Sequence, residues 1–324
     1  MPFGPCCLSC GMKNYNYSFE TERLFKESGP FFHVCSKPVA DVIFHGDTEK
    51  NLAVLYLAIA AREAKTVVLS YYVMSNHVHV LLKGYGPKDF YERFCSLVNN
   101  YMRRHGRKDS LLPTEPTIVP VNTLAQFKEE VAYILRNRFV VDSGENPFTS
   151  VWSSGFLYFN PRLEELLTTV PYVSSEQLSK RKVMQLTCTT DGTLLPPGLH
   201  FINGCLAPSC FVDYKLVEKL FVNARQFVFS MFKNVESQAE AAQRLGEEFF
   251  LPDEEAYKVA WKYSKTTWAI DDLKKLGPIQ KRELAKHLKL TYSASNGQLV
   301  RITGLSESEV NALFPLSAKP DRQK

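Results

Sequence analysis

Two apolar runs separated by a polar dipeptide constrain the fold of this chain more than any other feature. Residues 66–74 and 77–83 are rich in Val, Leu and Tyr, and the Ser-Asn pair at 75–76 is a turn signal, so the sequence predicts a β-hairpin. The second run contains His77 and His79. Because residues i and i+2 of a strand point to the same face, the two imidazoles should lie side by side. This arrangement predicts most of a metal site and favours chemistry over packing.

Composition describes a globular chain and leaves its partners open. Its 324 residues are 45% hydrophobic and 23% charged, and the formal net charge of +5 allows contact with nucleic acid without demanding it. No apolar run approaches the roughly 18 residues that span a bilayer, and the N-terminus lacks a basic stretch followed by an apolar core. We therefore expect a cytoplasmic protein without a membrane partner.

The eight cysteines are expected to be reduced thiols in that compartment. Cys7 and Cys10 form a C-x-x-C pair with Cys6 adjacent, and Cys205 and Cys210 could complete a four-thiolate zinc site. The spacing of these positions differs from that of common zinc modules, which favours scattered thiols. Zinc binding by the three N-terminal cysteines stays open.

The chain divides by pattern into four segments. Residues 1–28 have no clear period and predict an irregular tail. From 29 to 165 the order is strand, helix, hairpin, helix, strand, helix, which predicts an α+β domain with a ferredoxin-like antiparallel sheet and helices on one face. Residues 166–210 predict a connector, and residues 211–324 predict an all-helical domain. The elements predicted most clearly are strands at 31–35, 66–74 and 77–83 and helices at 50–62, 89–104 and 124–138.

The end of the chain predicts a helix-turn-helix-like arrangement at 280–315. Residues 281–288 and 297–303 predict two helices, and Ser306 and Glu309 form a capping box that begins another. A helix that reads DNA presents basic or amide side chains, whereas this last helix is acidic. DNA reading and a packing or dimerisation role therefore both stay open for this segment.

The helix predicted over 124–138 carries a polar pair beside its apolar stripe. Tyr133 and Asn137 are four residues apart and so lie one turn apart on the same side. Packing alone does not explain a tyrosine beside such a stripe, although a surface tyrosine lying over a neighbour is the alternative. The stripe itself consists of Leu124, Phe127, Val131, Ile134 and Leu135.

Four segments together resemble the single-tyrosine HUH transposases of insertion sequences, and especially the REP-associated tyrosine transposases. Residues 74–81 read MSNHVHVL where that family commonly reads MPNHVHLL, and residues 103–107 read RRHGR, as the family often does. Residues 133–138 read YILRNR beside the family's YIHLNP, and WSS follows at 152–154. The segments occur in the family's order between about residue 30 and about residue 160.

The resemblance implies an enzyme that cleaves and rejoins single-stranded DNA beside a hairpin or palindromic end. Tyr133 would attack the phosphorus, forming a 5′-phosphotyrosine and freeing a 3′ hydroxyl. His77, His79 and Asn137 would bind one Mg²⁺ or Mn²⁺. The protein would then be nucleoid-associated, and a homodimer is allowed, with the tyrosine serving its own subunit or the partner. The residues expected to contact DNA are Arg103, Arg104, Arg107, Lys108, Tyr101 and His105.

Two other classes of function stay open. Residues 111–123 hold three prolines and no basic residue where the family has a segment rich in Gly and Arg, and Arg138 replaces a common proline. These departures fit a domesticated DNA-binding regulator that kept the fold but lost cleavage. A divalent-metal hydrolase that uses the two histidines on another substrate is the third class.

Overall fold

A four-stranded antiparallel sheet lies at the centre of the computed structural model. The strands are β1 (Phe31–Cys35), β2 (Val67–Val73), β3 (Val78–Lys83) and β4 (Thr117–Val121), in the spatial order β2-β3-β1-β4. All three pairings are antiparallel, and the register places Cys35 opposite His79. The predicted α+β class, the antiparallel sheet and the hairpin are thus confirmed.

The structure describes the backbone over residues 9–37, 42–107, 111–141, 148–150, 152–233, 241–242, 244–245 and 253–315. It describes the side chains over the same ranges except at 9–18, 137–141, 232–233 and 254. The chain forms two compact units that divide between Lys233 and Asn234. Residues 211–233 therefore belong to the same unit as the sheet.

Helices account for most of the first unit. The predicted helices at 50–62, 89–104 and 124–138 are confirmed, each with one to four further residues at one or both ends. The helices of this unit are α1 (Ser9–Ser28), α2 (Gly46–Glu63), α3 (Pro87–Arg104), α4 (Leu124–Val141), α5 (Leu163–Thr169), α6 (Lys180–Thr187), α7 (Tyr214–Phe221) and α8 (Ala224–Lys233).

Helices cover both faces of the sheet, so the prediction of helices on one face is only half right. The two helices that lie between strands in sequence, α2 and α3, pack on the face that carries Val34, Val80 and Leu82. Helices α4, α7 and α8 pack on the opposite face with Phe31 and Leu81. The physical reason is that β1 and β3 carry buried side chains on both faces of the sheet, so helices have to pack on each face.

Two segments predicted to be irregular contain secondary structure. Residues 9–28 form α1, where Phe25 stacks on Phe31 at 4.9 Å between ring centroids, so a tertiary contact holds a helix whose own periodicity is weak. The predicted connector, 166–210, contains most of α5, all of α6 and a small antiparallel sheet in the order β5-β6-β7. Its strands, β5 (Val173–Ser174), β6 (His200–Ile202) and β7 (Cys205–Leu206), are too short to show alternation.

The WSS segment lies along the outer edge of β2. The amide of Val73 donates to the carbonyl of Trp152 at 3.0 Å, and the amide of Ser154 donates to the carbonyl of Tyr71 at 3.1 Å. The Ser154 hydroxyl also accepts from the Tyr71 amide at 3.1 Å. The segment therefore satisfies backbone groups at a sheet edge that would otherwise be open.

The second unit is helical over its described residues. Its helices are α9 (Asp253–Trp268), α10 (Pro278–Tyr292), α11 (Asn296–Thr303) and α12 (Glu307–Leu313). The three predicted terminal helices are confirmed, and Ser306 and Glu309 form the predicted capping box. Glu309 also lies 3.5 Å from Arg282, so its carboxylate serves contacts within this unit.

Among the described residues, every helix is either too short or too polar to cross a bilayer.

Candidate active site

His77, immediately before β3, and His79, its second residue, lie on one face, as their spacing predicted. Their Nε2 atoms are 3.0 Å apart, while Val78 between them is 2% exposed in the core on the other face. The turn before them is closed by the amide of Met74, which donates to the carbonyl of His77 at 3.0 Å. The hairpin therefore fixes both imidazoles on rigid backbone.

Each of the two imidazoles is held from its Nδ1 side. His77 Nδ1 lies 2.7 Å from the side-chain oxygen of Asn76, and His79 Nδ1 lies 3.1 Å from His33 Nε2. An amide oxygen only accepts hydrogen bonds, so His77 donates from Nδ1 and keeps a lone pair on Nε2. The Nε2 atoms of both rings consequently face the same small volume.

A second layer of buried polar groups stands behind His79. His33 of β1 donates from Nδ1 to Glu130 of α4 at 2.7 Å, and the two side chains are 0% and 1% exposed. Burial holds the pKa of His79 well below its usual range, and the neighbouring His33 shifts that pKa in the same direction. His79 is thus neutral, which is the form of imidazole that binds a metal.

Tyr133 of α4 packs against the same histidines. Its ring lies 5.6 Å from that of His79, edge to face at 81°, and 6.1 Å from that of His33. Tyr133 is 4% exposed, which excludes the alternative of a surface tyrosine. The apolar stripe predicted for α4 is buried throughout and turns this side of the helix toward β1 and β3. Asn137 lies one turn further along α4, and its side chain is outside the described residues.

The spacing of the two Nε2 atoms, which is also that of a hydrogen bond between the rings, is compatible with neighbouring positions around an octahedral divalent ion. Two ligands at right angles, each about 2.1 Å from an ion, are about 3.0 Å apart, whereas a tetrahedral centre separates them by about 3.4 Å. The observed separation of the His77 and His79 Nε2 atoms is 3.0 Å. Over the side chains that the structure describes, no group of three or more His, Cys, Asp or Glu could hold a metal. The described part of the site therefore supplies two nitrogen ligands, and the predicted third ligand, Asn137, lies beyond it.

The side chains at the basic end of α3 differ in exposure. Arg103, Arg104 and His105 are exposed, although Arg104 donates to the carbonyl of Cys188 at 3.1 Å, and Lys108 lies outside the described residues. Arg107 donates from Nη1 to both carboxylate oxygens of Glu49 at 2.7 Å. The Tyr101 hydroxyl donates to the same carboxylate at 3.2 Å, and its ring lies 4.1 Å from that of His105.

Arg107 also connects this helix end to the histidine hairpin. Its Nη2 donates to the carbonyl of Ile43 at 2.6 Å, and the amide of Ile43 donates to the carbonyl of Ser75 at 2.8 Å. Ser75 belongs to the turn that precedes His77. The structure therefore gives Arg107 an internal structural role near the candidate site, beside the exposed Arg103 and Arg104.

Replacing Glu49 with glutamine is expected to lower the free energy of unfolding by about 1–3 kcal/mol near pH 7, because a partly buried charged hydrogen-bond acceptor is lost. Burial alone would raise the pKa of Glu49, but hydrogen bonds from Arg107 and the His45 amide outweigh it and hold that pKa below its usual value. A lowered pKa means that the carboxylate stabilises the fold above pH about 4.5 and loses this effect as the pH falls through the folded-state value.

Urea unfolding of both proteins at about pH 7 and about pH 3.5 measures this difference, which should shrink at the lower pH. Glu63→Gln is the matched control, because the Glu63–Arg93 pair is more exposed and should contribute at most about 1 kcal/mol. Equal effects of the two substitutions would show that the Glu49–Arg107 contacts do not stabilise this segment.

Sequence reasoning missed two residues of the cluster. His33 lies in the strand predicted at 31–35, where nothing in the sequence marked it as part of a site, and it contacts both Glu130 and His79. Glu130 lies three residues before Tyr133 and beside apolar Val131, and a carboxylate at such a position was the available signal.

The described cysteines, Cys35, Cys95, Cys188, Cys205 and Cys210, are free thiols. Cys6 and Cys7 lie outside the described residues, and Cys10 lies in α1 without a described side chain.

Comparison with known proteins identifies no relative: no protein-family model, no curated protein and no solved structure matches this chain.

Proposed function

We propose that this protein cleaves and rejoins single-stranded DNA beside a hairpin, using Tyr133 as the nucleophile. The observation that carries the proposal is the convergence of three side chains from two distant segments. His77 and His79 bring their Nε2 atoms within 3.0 Å of each other, and the ring of Tyr133 packs against His79. This is the combination that the resemblance to single-tyrosine HUH transposases requires.

His77 and His79, with Asn137 as the third ligand, would hold one Mg²⁺ or Mn²⁺. Such an ion would polarise the scissile phosphate and neutralise charge that develops on it. The Tyr133 ring packs against His79 of the same chain, which supports a tyrosine that serves its own subunit. A homodimer remains part of the proposal without being needed to complete the described cluster.

Tyr133 would be the nucleophile, and its covalent bond to the DNA 5′ phosphate would keep the broken strand ready for rejoining. Its oxygen forms a bond to phosphorus as the bond from phosphorus to the 3′ oxygen breaks, the phenol loses its proton to solvent, and the departing 3′ oxygen gains one from solvent. The 5′-phosphotyrosine can then be attacked by another 3′ hydroxyl, which rejoins DNA and restores the phenol. Because Tyr133 is 4% exposed, DNA binding has to uncover it first.

The fold is compatible with this assignment. We propose that residues 29–165 are a ferredoxin-like catalytic domain, a topology supported by the antiparallel order β2-β3-β1-β4 with α2 and α3 on one face. The exposed Arg103 and Arg104 would contact DNA phosphates. For residues 280–315 we propose a helix-turn-helix-like packing role rather than DNA reading, because Glu309 is occupied by its capping box and by Arg282.

The test uses hairpin DNA with randomised single-stranded flanks, incubated with Mn²⁺ and separated on a denaturing gel. DNA labelled at its 3′ end should become attached to the protein, while DNA labelled at its 5′ end should appear as a shorter product with an extendable 3′ hydroxyl. Tyr133→Phe should abolish both products, and EDTA should do the same. Tyr85→Phe, at a tyrosine that is 89% exposed, is the matched control and should behave as wild type.

The burial of Tyr133 and His79 favours a second candidate, the DNA-binding regulator that kept the fold without cleavage. Binding of the labelled hairpin with no attached protein, for wild type and Tyr133→Phe alike, would support this candidate and overturn the first. Cleavage that persists in Tyr133→Phe would instead indicate a metal hydrolase.

A further inference from the structure

We propose that Glu130 and His33 are positioning residues that hold the His79 ring with its Nε2 atom toward His77. This inference rests on the proposed function, since it explains how two histidines would present their lone pairs to one cation. Neither residue belongs to the predicted ligand set, and both lie on the Nδ1 side of His79, away from the His77 and His79 Nε2 atoms. Both would act through His79.

A continuous path of buried contacts carries the inference. Glu130 Oε2 lies 2.7 Å from His33 Nδ1, and His33 Nε2 lies 3.1 Å from His79 Nδ1. On the other side of the ring, His79 Nε2 lies 3.0 Å from His77 Nε2. Residues from α4, β1 and β3 thus form one line that ends at the candidate cation site.

The hydrogen bond to His33 is what selects the orientation of the His79 ring. Rotation of an imidazole about its last side-chain torsion is nearly two-fold, so packing alone leaves two orientations of similar energy. One orientation turns Nε2 toward His77, and the other turns a carbon there. The contact between His33 and His79 Nδ1 favours the first.

Glu130 in turn fixes His33. A carboxylate only accepts, so it requires the proton of His33 on Nδ1 and leaves Nε2 directed at His79. Both side chains are almost completely buried, where polar groups without partners are costly, so the pair has one favourable arrangement. Histidine ligands of metals are commonly oriented in this way, through a carboxylate or another polar group at the second ring nitrogen.

The same pair also connects the nucleophile to the histidines. Glu130 lies one turn before Tyr133 on α4, so its contact with β1 holds this part of the helix against the sheet. The Tyr133 ring accordingly contacts His33 as well as His79. The buried Glu130–His33 pair therefore positions both His79, the proposed ligand, and Tyr133, the proposed nucleophile.

The experiment compares full-length wild type with Glu130→Gln, which keeps the size of the side chain but removes its charge. Glu129→Gln, the same change at the preceding position, is the matched control. Mn²⁺ titration by calorimetry gives the affinity, and ¹⁵N labelling of histidine in metal-free protein gives the ring shifts of His79. We expect Mn²⁺ affinity to fall by about 10–100-fold in Glu130→Gln, with altered His79 shifts, and to stay unchanged in Glu129→Gln.

Wild-type affinity and unchanged His79 shifts in Glu130→Gln would overturn the inference. If that variant fails to fold, Glu130→Asp replaces it, since the shorter carboxylate keeps its charge but withdraws from His33, and the same two readouts decide. Failure of the proposed function gives a different result. If wild type binds Mn²⁺ but never attaches to DNA, the proposed function fails while the positioning role of Glu130 and His33 is still tested by Mn²⁺ affinity. If wild type binds no Mn²⁺, the His79 shifts of Glu130→Gln test the positioning role by themselves.

Discussion

Replacing His77 with alanine is expected to remove metal-dependent DNA cleavage while the protein stays folded. His77 lies immediately before β3 at the edge of the cluster, where its side chain contacts Asn76 and His79 and is 7% exposed. The substitution deletes one of the two converging Nε2 atoms. A bound metal contributes several kcal/mol to transition-state stabilisation, and each 1.4 kcal/mol is a factor of ten, so the rate of adduct formation should fall by about 10³-fold.

The measurement is the initial rate of protein–DNA adduct formation with Mn²⁺, together with urea unfolding of the same preparation. The free energy of unfolding should change by at most about 2 kcal/mol, as for loss of a single buried hydrogen-bonding group. His200→Ala is the control, because His200 lies in β6 of the small sheet and stacks on Tyr172 at 4.0 Å. Adduct formation at the wild-type rate in His77→Ala would show that His77 takes no part in DNA cleavage.

Local patterns were sufficient for the elements that place these histidines. Two apolar runs on either side of a polar dipeptide located the hairpin, and the strand predicted at 31–35 coincides with β1. The capping box at Ser306 was equally readable, because it depends on two residues within one helical turn. Such features are encoded within a few neighbouring residues and do not need the rest of the fold.

Elements held by distant contacts could not be predicted in this way. The first helix depends on Phe25 meeting Phe31 and Phe127, and nothing in its own sequence indicates that contact. The strands of the small sheet have two or three residues, fewer than alternation requires. Coverage of the second face of the main sheet depends on α7 and α8, which follow far later in the chain.

The residues of the candidate site also divide into those that local spacing reveals and those that only the folded chain brings together. His77 and His79 were found because their spacing within one strand is sufficient to place them together. His33 and Glu130 join them only because β1 pairs with β3 and α4 crosses that face, which are tertiary facts. Arg107 belongs to the basic motif at 103–107 and Tyr101 lies just before it, but their contacts with Glu49 depend on where α2 packs.

Replacing Phe127 with alanine is expected to lower the free energy of unfolding by about 3–5 kcal/mol, the usual cost of deleting a buried aromatic ring. Phe127 is fully buried on α4, and its ring lies 5.2 Å from that of Phe31 and 6.0 Å from that of Phe25. It therefore joins the helix of Glu130 and Tyr133 to β1 and to the N-terminal helix. Loss of this contact should also weaken Mn²⁺ binding, because the Glu130–His33 contact depends on how α4 lies on the sheet.

Urea unfolding followed by circular dichroism measures the effect, with Phe229→Ala as the matched control. Phe229 is 54% exposed on α8, so removing its ring should change the free energy of unfolding by at most about 0.5 kcal/mol. A loss below about 1 kcal/mol in Phe127→Ala would mean that α4 does not pack on this face of the sheet, since deletion of a buried ring from a filled core cannot be that mild. In that case Glu130 and Tyr133 could not reach the histidines together, and the proposed site would be lost with the packing that forms it.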